Sequence, residues 1–569
     1  KRASHVVAEH TDQGHAPGPD RPSPEPAAGE RAVAPARSHV LAPGHRWGRA
    51  DMPWRVLAAA GSGLAQLLAL PPYGLWWLGP LSAALLAFAV AGTRVRDAAW
   101  LGALSGATLM VPLVRWQDIF GIDVWLVIAA AETVYFLPMA MGLTLVMRLP
   151  GWPVWTAALW VLQEAVRARW PLGGFPWGKL AFAQPDTPFV GYAALGSSAL
   201  VSFAVALTGG LLLWSALRAS RALSPASRGL GAQGHGRDAR AMVGAVVGLA
   251  AGVAIVAGGL LAPAIGRPTA TDTVTVGMVQ GNVPNVGEMS ILGERMQVLN
   301  NHAQGVHELA AAVRAGEYPR PDMVLLPENA SDIDPFRDPV AWETIDDAAA
   351  DAGVPLLWGM SRFNDDGTRH VSSVVWDPVE GPGQVYDKRY LVPFGEYIPY
   401  RDFFTRFVDR LQQVASDAVP GTEPGALEVG GSTVAVGICF DVAFDPPVRE
   451  AVASGGGIIV IPTNNANYNF TGQTDQQLAI TQLRAVEHGR PAVVVSTSGV
   501  SAVVAPDGTL DHTSEEGVAD VHVARLRTME GTTVATRLGA APEALLGLVG
   551  AASVAAAVLL GRRGRTRRA

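Results

Sequence analysis

Five stretches of the chain contain no Asp, Glu, Lys or Arg: residues 56–93, 98–114, 187–217, 241–266 and 544–561. A membrane span needs about 20 mostly apolar residues, so these runs dictate helices that cross a bilayer. The first run is long enough for two spans, with "PPYG" at 71–74 as the turn between them. Residues 124–147 add a span with one carboxylate, Glu132, and residues 149–166 add a marginal one. The runs before residue 270 predict seven spans, and 544–561 predicts an eighth. Core helices of a soluble protein do not need 26 uncharged residues in a row, as 241–266 provides. A cleaved signal peptide fits poorly, because the first run begins beyond residue 50 and others follow.

Basic residues in short loops set orientation. The segment 218–240 carries Arg218, Arg221, Arg228, Arg237 and Arg240, the loop "TRVRD" spans 93–97, and the chain ends "RRGRTRRA". With eight spans all three fall on one side, which is expected to be the cytoplasm. Residues 1–50, rich in Pro, Ala, His and Arg without apolar period, read as a disordered cytoplasmic tail. The expected division is a membrane domain at 51–267, an extracytoplasmic domain at 268–540, a C-terminal span at 541–561 and a basic cytoplasmic tail at 562–569.

The extracytoplasmic stretch has a different texture. Apolar runs of strand length recur at 273–282, 322–329, 355–361, 372–377, 432–440, 457–465, 491–498 and 500–508. Several are continuously apolar, as strands covered on both faces are. "GERMQVLNNHAQGVHELAAAVRAG" and "TDQQLAITQLRAVEHGR" read as helices between them, and "APDGTL" carries a turn signal for a hairpin. The reading is an α/β domain with a layered sheet core.

Three reactive residue types sit at or just beyond these strands: Glu328 in "VLLPE", Lys388 in "VYDKRY" and Cys439 in "VAVGIC". A thiol attacks a carbonyl carbon well only as thiolate. A nearby carboxylate can take its proton, and an ammonium can stabilise the thiolate and an oxyanion. The backbone N–H of Phe440 is a candidate second oxyanion donor. Each signal alone is weak. A lone cysteine is more often a small buried hydrophobe, and spacings of 60 and 51 residues do not prove that the three meet.

Taken as an ordered set, "LLPEN", "YDKRYLVPFGEYIP" and "VGICFD" resemble the Glu, Lys and Cys motifs of the nitrilase, or carbon–nitrogen hydrolase, superfamily. An eight-span frame with such a domain before its last helix resembles the bacterial apolipoprotein N-acyltransferase family, as do "GNVP", "GGFPWGKLAFAQ" and "LRAVEHGRP". The resemblance implies an α-β-β-α sandwich, with Cys439 as nucleophile, Glu328 as general base, Lys388 as oxyanion and thiolate stabiliser, and Glu396 as a supporting glutamate. It implies an acyl thioester at Cys439, formed from a membrane phospholipid and discharged onto the N-terminal amine of a diacylglyceryl-cysteine apolipoprotein. Departures are Phe440 and Asp441, where the family often has Tyr and Glu, and the absence of a tryptophan after "GNVP".

The same residues also suit a membrane-tethered amidase or nitrile hydrolase with water as acceptor, or an inactive nitrilase-like binding domain. Residues 400–417 interleave Phe403, Phe404, Phe407 and Leu411 with charges, as an interfacial amphipathic lid does; a surface helix packed on its own domain has the same pattern. Glu132 and Glu164 lie in or beside spans, and Arg167 is the expected partner of Glu164. A net charge of −7 gives no basic footprint for nucleic acid. One cysteine excludes an internal disulfide and cysteine-rich zinc sites. No metal or cofactor is expected.

Overall fold

In a computed structural model, residues 51–223, 231–288, 293–406, 408, 411, 412 and 414–566 are described. The N-terminal tail expected at 1–50 and the last residues of the basic tail lie outside them.

The apolar runs form helices α1 (Met52–Ala69), α2 (Leu78–Val90), α3 (Val95–Leu113), α4 (Ile122–Val134), α5 (Phe136–Val146), α6 (Trp152–Arg167), α7 (Ala193–Ala222) and α8 (Gly231–Leu261). Among the described residues four segments are long and apolar enough to cross a membrane: Ile122–Val146, Pro188–Ala222, Asp238–Ala264 and Ala541–Arg563. The α2 helix is apolar but shorter. With little hydrophobic drive between apolar helices in lipid, small residues let their backbones approach closely. A Cβ on Gly102 of α3 would stand 2.4 Å from the Phe136 carbonyl at the start of α5. The α7 helix is broken at Gly196 and Ser197, where Ser197 has φ +57°.

After α8 the chain alternates strand and helix: β1 (Thr269–Gln280), α9 (Gln297–Ala315), β2 (Met323–Leu325), α10 (Pro339–Ala352), β3 (Leu356–Phe363), β4 (Arg369–Asp377) and β5 (Gly381–Asp387). Asp338 caps α10, accepting from the Val340 and Ala341 N–H groups at 3.0 and 3.1 Å, with Pro339 at the first helical position. A four-residue helix, α11 (Arg401–Phe404), precedes β6 (Ala426–Val429), β7 (Ser432–Val436), α12 (Asp445–Ala453), β8 (Ile458–Thr463), α13 (Gln473–His488), β9 (Ala492–Ser496), β10 (Ala502–Val504), β11 (Leu510–Thr513) and β12 (Asp520–Glu530). Then α14 (Val534–Leu538) leads into α15 (Ala541–Thr566).

Two six-stranded sheets result, in the orders β12-β1-β2-β3-β4-β5 and β11-β10-β9-β8-β7-β6. Each has three parallel strands at its centre, β1-β2-β3 and β7-β8-β9, flanked by antiparallel ones. Strand β2 shows how the layers form. Met323 and Leu325 enter the core shared by the two sheets, and Val324 and Leu326 enter the core under α9 and α10, the period of two that a strand imposes. The α12 and α13 helices cover the other sheet, and their apolar residues run on into the core of the membrane helices. The layering is α-β-β-α, as the resemblance implied, and the hairpin read from "APDGTL" joins β10 to β11.

Within 400–417 the helix α11 stops at Phe404, and the Arg401 guanidinium bonds the Asp417 carboxylate and the Val414 carbonyl. Phe403 is 58% exposed, and Phe407 lies outside the described residues. One expectation fails: Arg167 is not the partner of Glu164. It pairs with Glu132 across the bundle at 3.2 Å and donates to the Phe175 and Trp177 carbonyls at 3.0 and 2.5 Å. Glu164 instead accepts from the Leu180 N–H at 2.8 Å. One guanidinium serves the loop after α6 and the α4 carboxylate together, which a neighbour three residues away cannot arrange.

Candidate active site

The carboxyl ends of parallel strands are where an open sheet presents side chains to a crevice. Glu328 follows β2 by three residues, Cys439 follows β7 by three, and Thr463 ends β8. Lys388 follows β5 directly. The folded chain brings Glu328, Lys388, Glu396 and Cys439 together.

Lys388 is 1% exposed. Its Nζ donates to Glu328 Oε1 at 2.8 Å and to Glu396 Oε1 at 2.6 Å. Each carboxylate is held from behind. Glu328 Oε2 accepts from the Asn464 N–H at 3.0 Å, and Glu396 Oε2 accepts from the Val392 N–H at 2.7 Å. Cys439 is a partly exposed residue, and Glu328, Thr463 and the Asn464 backbone lie close enough to its buried thiol to act on its titration. Burial of Glu328 depends on a close approach by β3: a Cβ on Gly359 would stand 2.0 Å from the Pro327 carbonyl oxygen.

Cys439 has φ +47°, a left-handed backbone uncommon for any residue but glycine. It opens a short 3₁₀ turn, Cys439–Ala443, in which Phe440 is the second residue. The early N–H groups of such a turn have no intrahelical acceptor. Asp441, fully buried, fixes the turn. Its carboxylate accepts from the Ile438 N–H at 3.1 Å, the Tyr390 N–H at 2.8 Å and the Tyr386 hydroxyl at 2.8 Å. One side chain thus ties the Cys439 turn to both flanks of Lys388.

Electrostatics follow from burial and this crowding. Burial pushes the Cys439 thiol up to about 12, Glu328 adding to the rise and Lys388 opposing it. Burial also raises Glu328 above the usual carboxylate range against the pull of Lys388. Burial pulls the Lys388 ammonium down, but Glu328 and Glu396 outweigh it, so the group stands well above an ordinary lysine. The resting site is therefore a thiol beside a strong-base carboxylate and a permanent cation.

Aromatic rings flank the thiol, and several come from loops of the membrane helices. Phe440 lies 6.0 Å from Phe175 and 6.3 Å from Trp177, centroid to centroid. Trp116 lies 5.6 Å from Trp177 and 5.0 Å from Tyr468. Tyr468 is close enough to the thiol to feel its charge. Sequence reasoning singled out "GGFPWGKLAFAQ" but did not place it here, and it missed Thr463, Asn464 and Tyr468. The signal for the first two was present: "TNN" ends a continuously apolar strand, as Glu328 and Cys439 do. Among the described residues no group of three or more His, Cys, Asp or Glu is arranged to hold a metal ion.

A two-sheet sandwich with Glu, Lys and Cys clustered at its strand ends defines a carbon–nitrogen hydrolase type of domain. Residues 275–529 match the family described as Carbon-nitrogen hydrolase, and residues 62–211 match the Apolipoprotein N-acyltransferase N-terminal domain. An apolipoprotein N-acyltransferase of Mycolicibacterium smegmatis is 35% identical, covering 96% of this chain and 94% of its own length. One of Chromobacterium violaceum is 28% identical, covering 86% and 91%. Among solved structures, an amidase from Nesterenkonia sp. is 19% identical with a TM-score of 0.34, covering 47% of this chain and 94% of its own. The chain belongs to the apolipoprotein N-acyltransferase family.

Proposed function

We propose that the protein N-acylates apolipoproteins, with Cys439 carrying the acyl chain between a membrane phospholipid and the acceptor amine. The observation that carries this reading is the Lys388 ammonium held between Glu328 and Glu396 beside the Cys439 turn. In the first half-reaction the Cys439 Sγ attacks an acyl ester carbonyl while its proton passes to Glu328. The oxyanion is met by Lys388 Nζ and the Phe440 N–H. Collapse breaks the ester C–O bond, Glu328 returns the proton to the leaving alkoxide, and a lysophospholipid departs. In the second, the amine of the diacylglyceryl-cysteine attacks the thioester carbonyl. Glu328 takes the amine proton and passes it to the leaving thiolate, and an amide remains.

A thiol near 12 does not sit ionised at rest, so proton removal accompanies attack. A carboxylate raised by burial is the stronger base for that task. The aromatic flank supports the choice of acceptor, since excluding water protects a thioester from hydrolysis.

The finer frame is part of the same reading. Helices α1, α2, α3, α4 with α5, α6, α7, α8 and α15 make eight crossings, with the termini cytoplasmic and residues 268–540 outside. Arg94, Arg96, Arg218, Arg562 and Arg563 at one set of helix ends support this orientation. Anchoring between α8 and α15 holds the cleft near lipid substrates, so that proximity replaces extraction of a chain from the bilayer.

Intact-protein mass after incubation with a defined phospholipid tests the reading. The expected result is a gain of one acyl chain, removed by hydroxylamine, absent in Cys439→Ser, and transferred to a diacylated lipopeptide when that is added. Release to water as free fatty acid, with no transfer to the peptide, would favour a hydrolase. No adduct, with Cys439 resistant to small alkylating reagents, would favour a binding domain.

A further inference from the structure

A cleft of about 280 Å³ opens beside the turn that begins at Cys439. Its walls include Arg169, Lys179, Tyr390, Phe444, Asp445 and Glu543. Arg169 follows the end of α6 and Glu543 lies in the first turn of α15, so the cleft sits where these helices meet the catalytic domain. One wall is apolar: Tyr390 stacks on Phe444 with centroids 4.0 Å apart. The other is charged, and most of its charges are spent. Arg169 is bonded to Glu543. Asp445 is held by Arg484 at 2.6 Å and by the Ser197 hydroxyl at 3.0 Å, in the break of α7.

Lys179 is the exception among them in lacking a charged partner; its Nζ lies 5.7 Å from the centroid of the Phe182 ring. It is 4% exposed, and its Nζ donates to the neutral Ser198 hydroxyl at 3.2 Å. Among the described residues no carboxylate oxygen lies within 4.0 Å of it. Glu164 and Asp445 are near enough to feel its charge, but each is committed elsewhere, Glu164 to the Leu180 N–H and Asp445 to Arg484. An ammonium carries three donors, and a buried cation is costly unless it is paired. A buried, part-satisfied cation lining a cleft beside a stacked aromatic wall is a site for an amphipathic anion.

We propose that this cleft holds the phosphodiester of a phospholipid, with Lys179 as its cationic partner and the half-exposed Arg169 guanidinium, which keeps N–H donors beyond its bond to Glu543, as a further donor. The acyl ester then runs past Phe444 toward Cys439. The inference rests on the acyl-donor reading above, and it adds where the donor's headgroup is held. A tetrahedral, delocalised anion suits the Arg169 fork beside a compact ammonium. The volume suits a headgroup rather than a whole lipid.

The test compares two donors with identical acyl esters, dipalmitoyl phosphatidylethanolamine and dipalmitoylglycerol, in detergent micelles, by the rate at which Cys439 gains an acyl chain. Lys179→Met raises the half-saturating concentration of the phospholipid about tenfold or more relative to that of the diacylglycerol. Lys179→Arg recovers most of the loss. Equal shifts for both donors, or none, overturn the proposal. Arg169→Gln, at a side chain 56% exposed, gives the same ratio test if Lys179→Met melts early.

Binding without chemistry is read on a Cys439→Ala background. A rise in melting temperature specific to the phospholipid, and lost in Lys179→Met, supports the cleft even if no acyl-enzyme ever forms. That rise, together with no acyl-enzyme in the protein that keeps Cys439, would sink the acyl-transfer reading alone. Equal rises with both lipids would sink the cleft.

Discussion

The Asp441 carboxylate accepts three hydrogen bonds from buried or half-buried donors. Asp441→Ala leaves those donors without an acceptor, at about 1–3 kcal/mol for each one that water cannot reach. The expected outcome is a lower melting temperature and a loss of Cys439 acylation larger than the loss of stability explains. Asp441→Glu overfills a fully buried position, so it costs stability too, by about 1–3 kcal/mol. On the proposed mechanism Glu328 acts in its basic form, and its carboxyl is raised by burial, so acylation is expected to increase with pH through a midpoint above that of an ordinary glutamate. A rate profile with an acid limb at or below about pH 4.3 would contradict this. Lys388 stands well above an ordinary lysine, so no alkaline loss from it is expected below about pH 10. Residues named from motifs (Glu328, Lys388, Glu396, Cys439) were legible because their types and order carry the chemistry. Asn464 was not, because its part is a single backbone N–H meeting a carboxylate 136 residues away.

Elements were legible where their surroundings were uniform. Strands buried on both faces, such as β8 and β9, announce themselves by unbroken apolar runs. The edge strand β6 and the long β12, with its mixed burial, did not. "DVHVARLRTME" alternates Val with polar residues and takes its strand form from pairing with β1 along its whole length. The β3 strand matters to the site through its closeness to the loop bearing Glu328. Gly359→Ala forces β3 or that loop to move, since its Cβ would also stand 2.8 Å from the Glu328 Cα. The expected result is a stability cost of about 1–3 kcal/mol and a Lys388–Glu328 pair that no longer supports acylation. An unchanged acylation rate in a folded Gly359→Ala protein would show that the approach has slack.

At the scale of the molecule, the division into apolar helices and a charged α/β domain was plain from the distribution of charge. The joint between them was not. Phe440 touches Phe175 and Trp177 from a loop between α6 and α7, and no periodicity marks such a meeting. The topology can be read chemically because Cys439 is the single native thiol. New cysteines placed singly at Gly316, Gly367 and Ser220 on a Cys439→Ala background should separate under a membrane-impermeant maleimide. The first two label on intact cells and the third labels only after lysis. Labelling of position 220 on intact cells would invert the frame.

The antiparallel pairing of β1 with β12 sets Thr269 opposite Glu530, so the outer edge of β1 has no neighbour until the far end of the domain exists. During synthesis at roughly 5–20 residues per second, β1 emerges tens of seconds before the strand that covers it. Until then it presents an open row of backbone donors and acceptors, the usual template for wrong pairing. Completion of the catalytic sheet and delivery of the last membrane helix are thereby nearly simultaneous, because β12 ends at Glu530 and α15 begins at Ala541. A ribosome stalled after Cys439 but before residue 520 would leave a chain that has Cys439 and Glu328 but an unsealed sheet, exposed to proteases and chaperones in a way the finished chain is not.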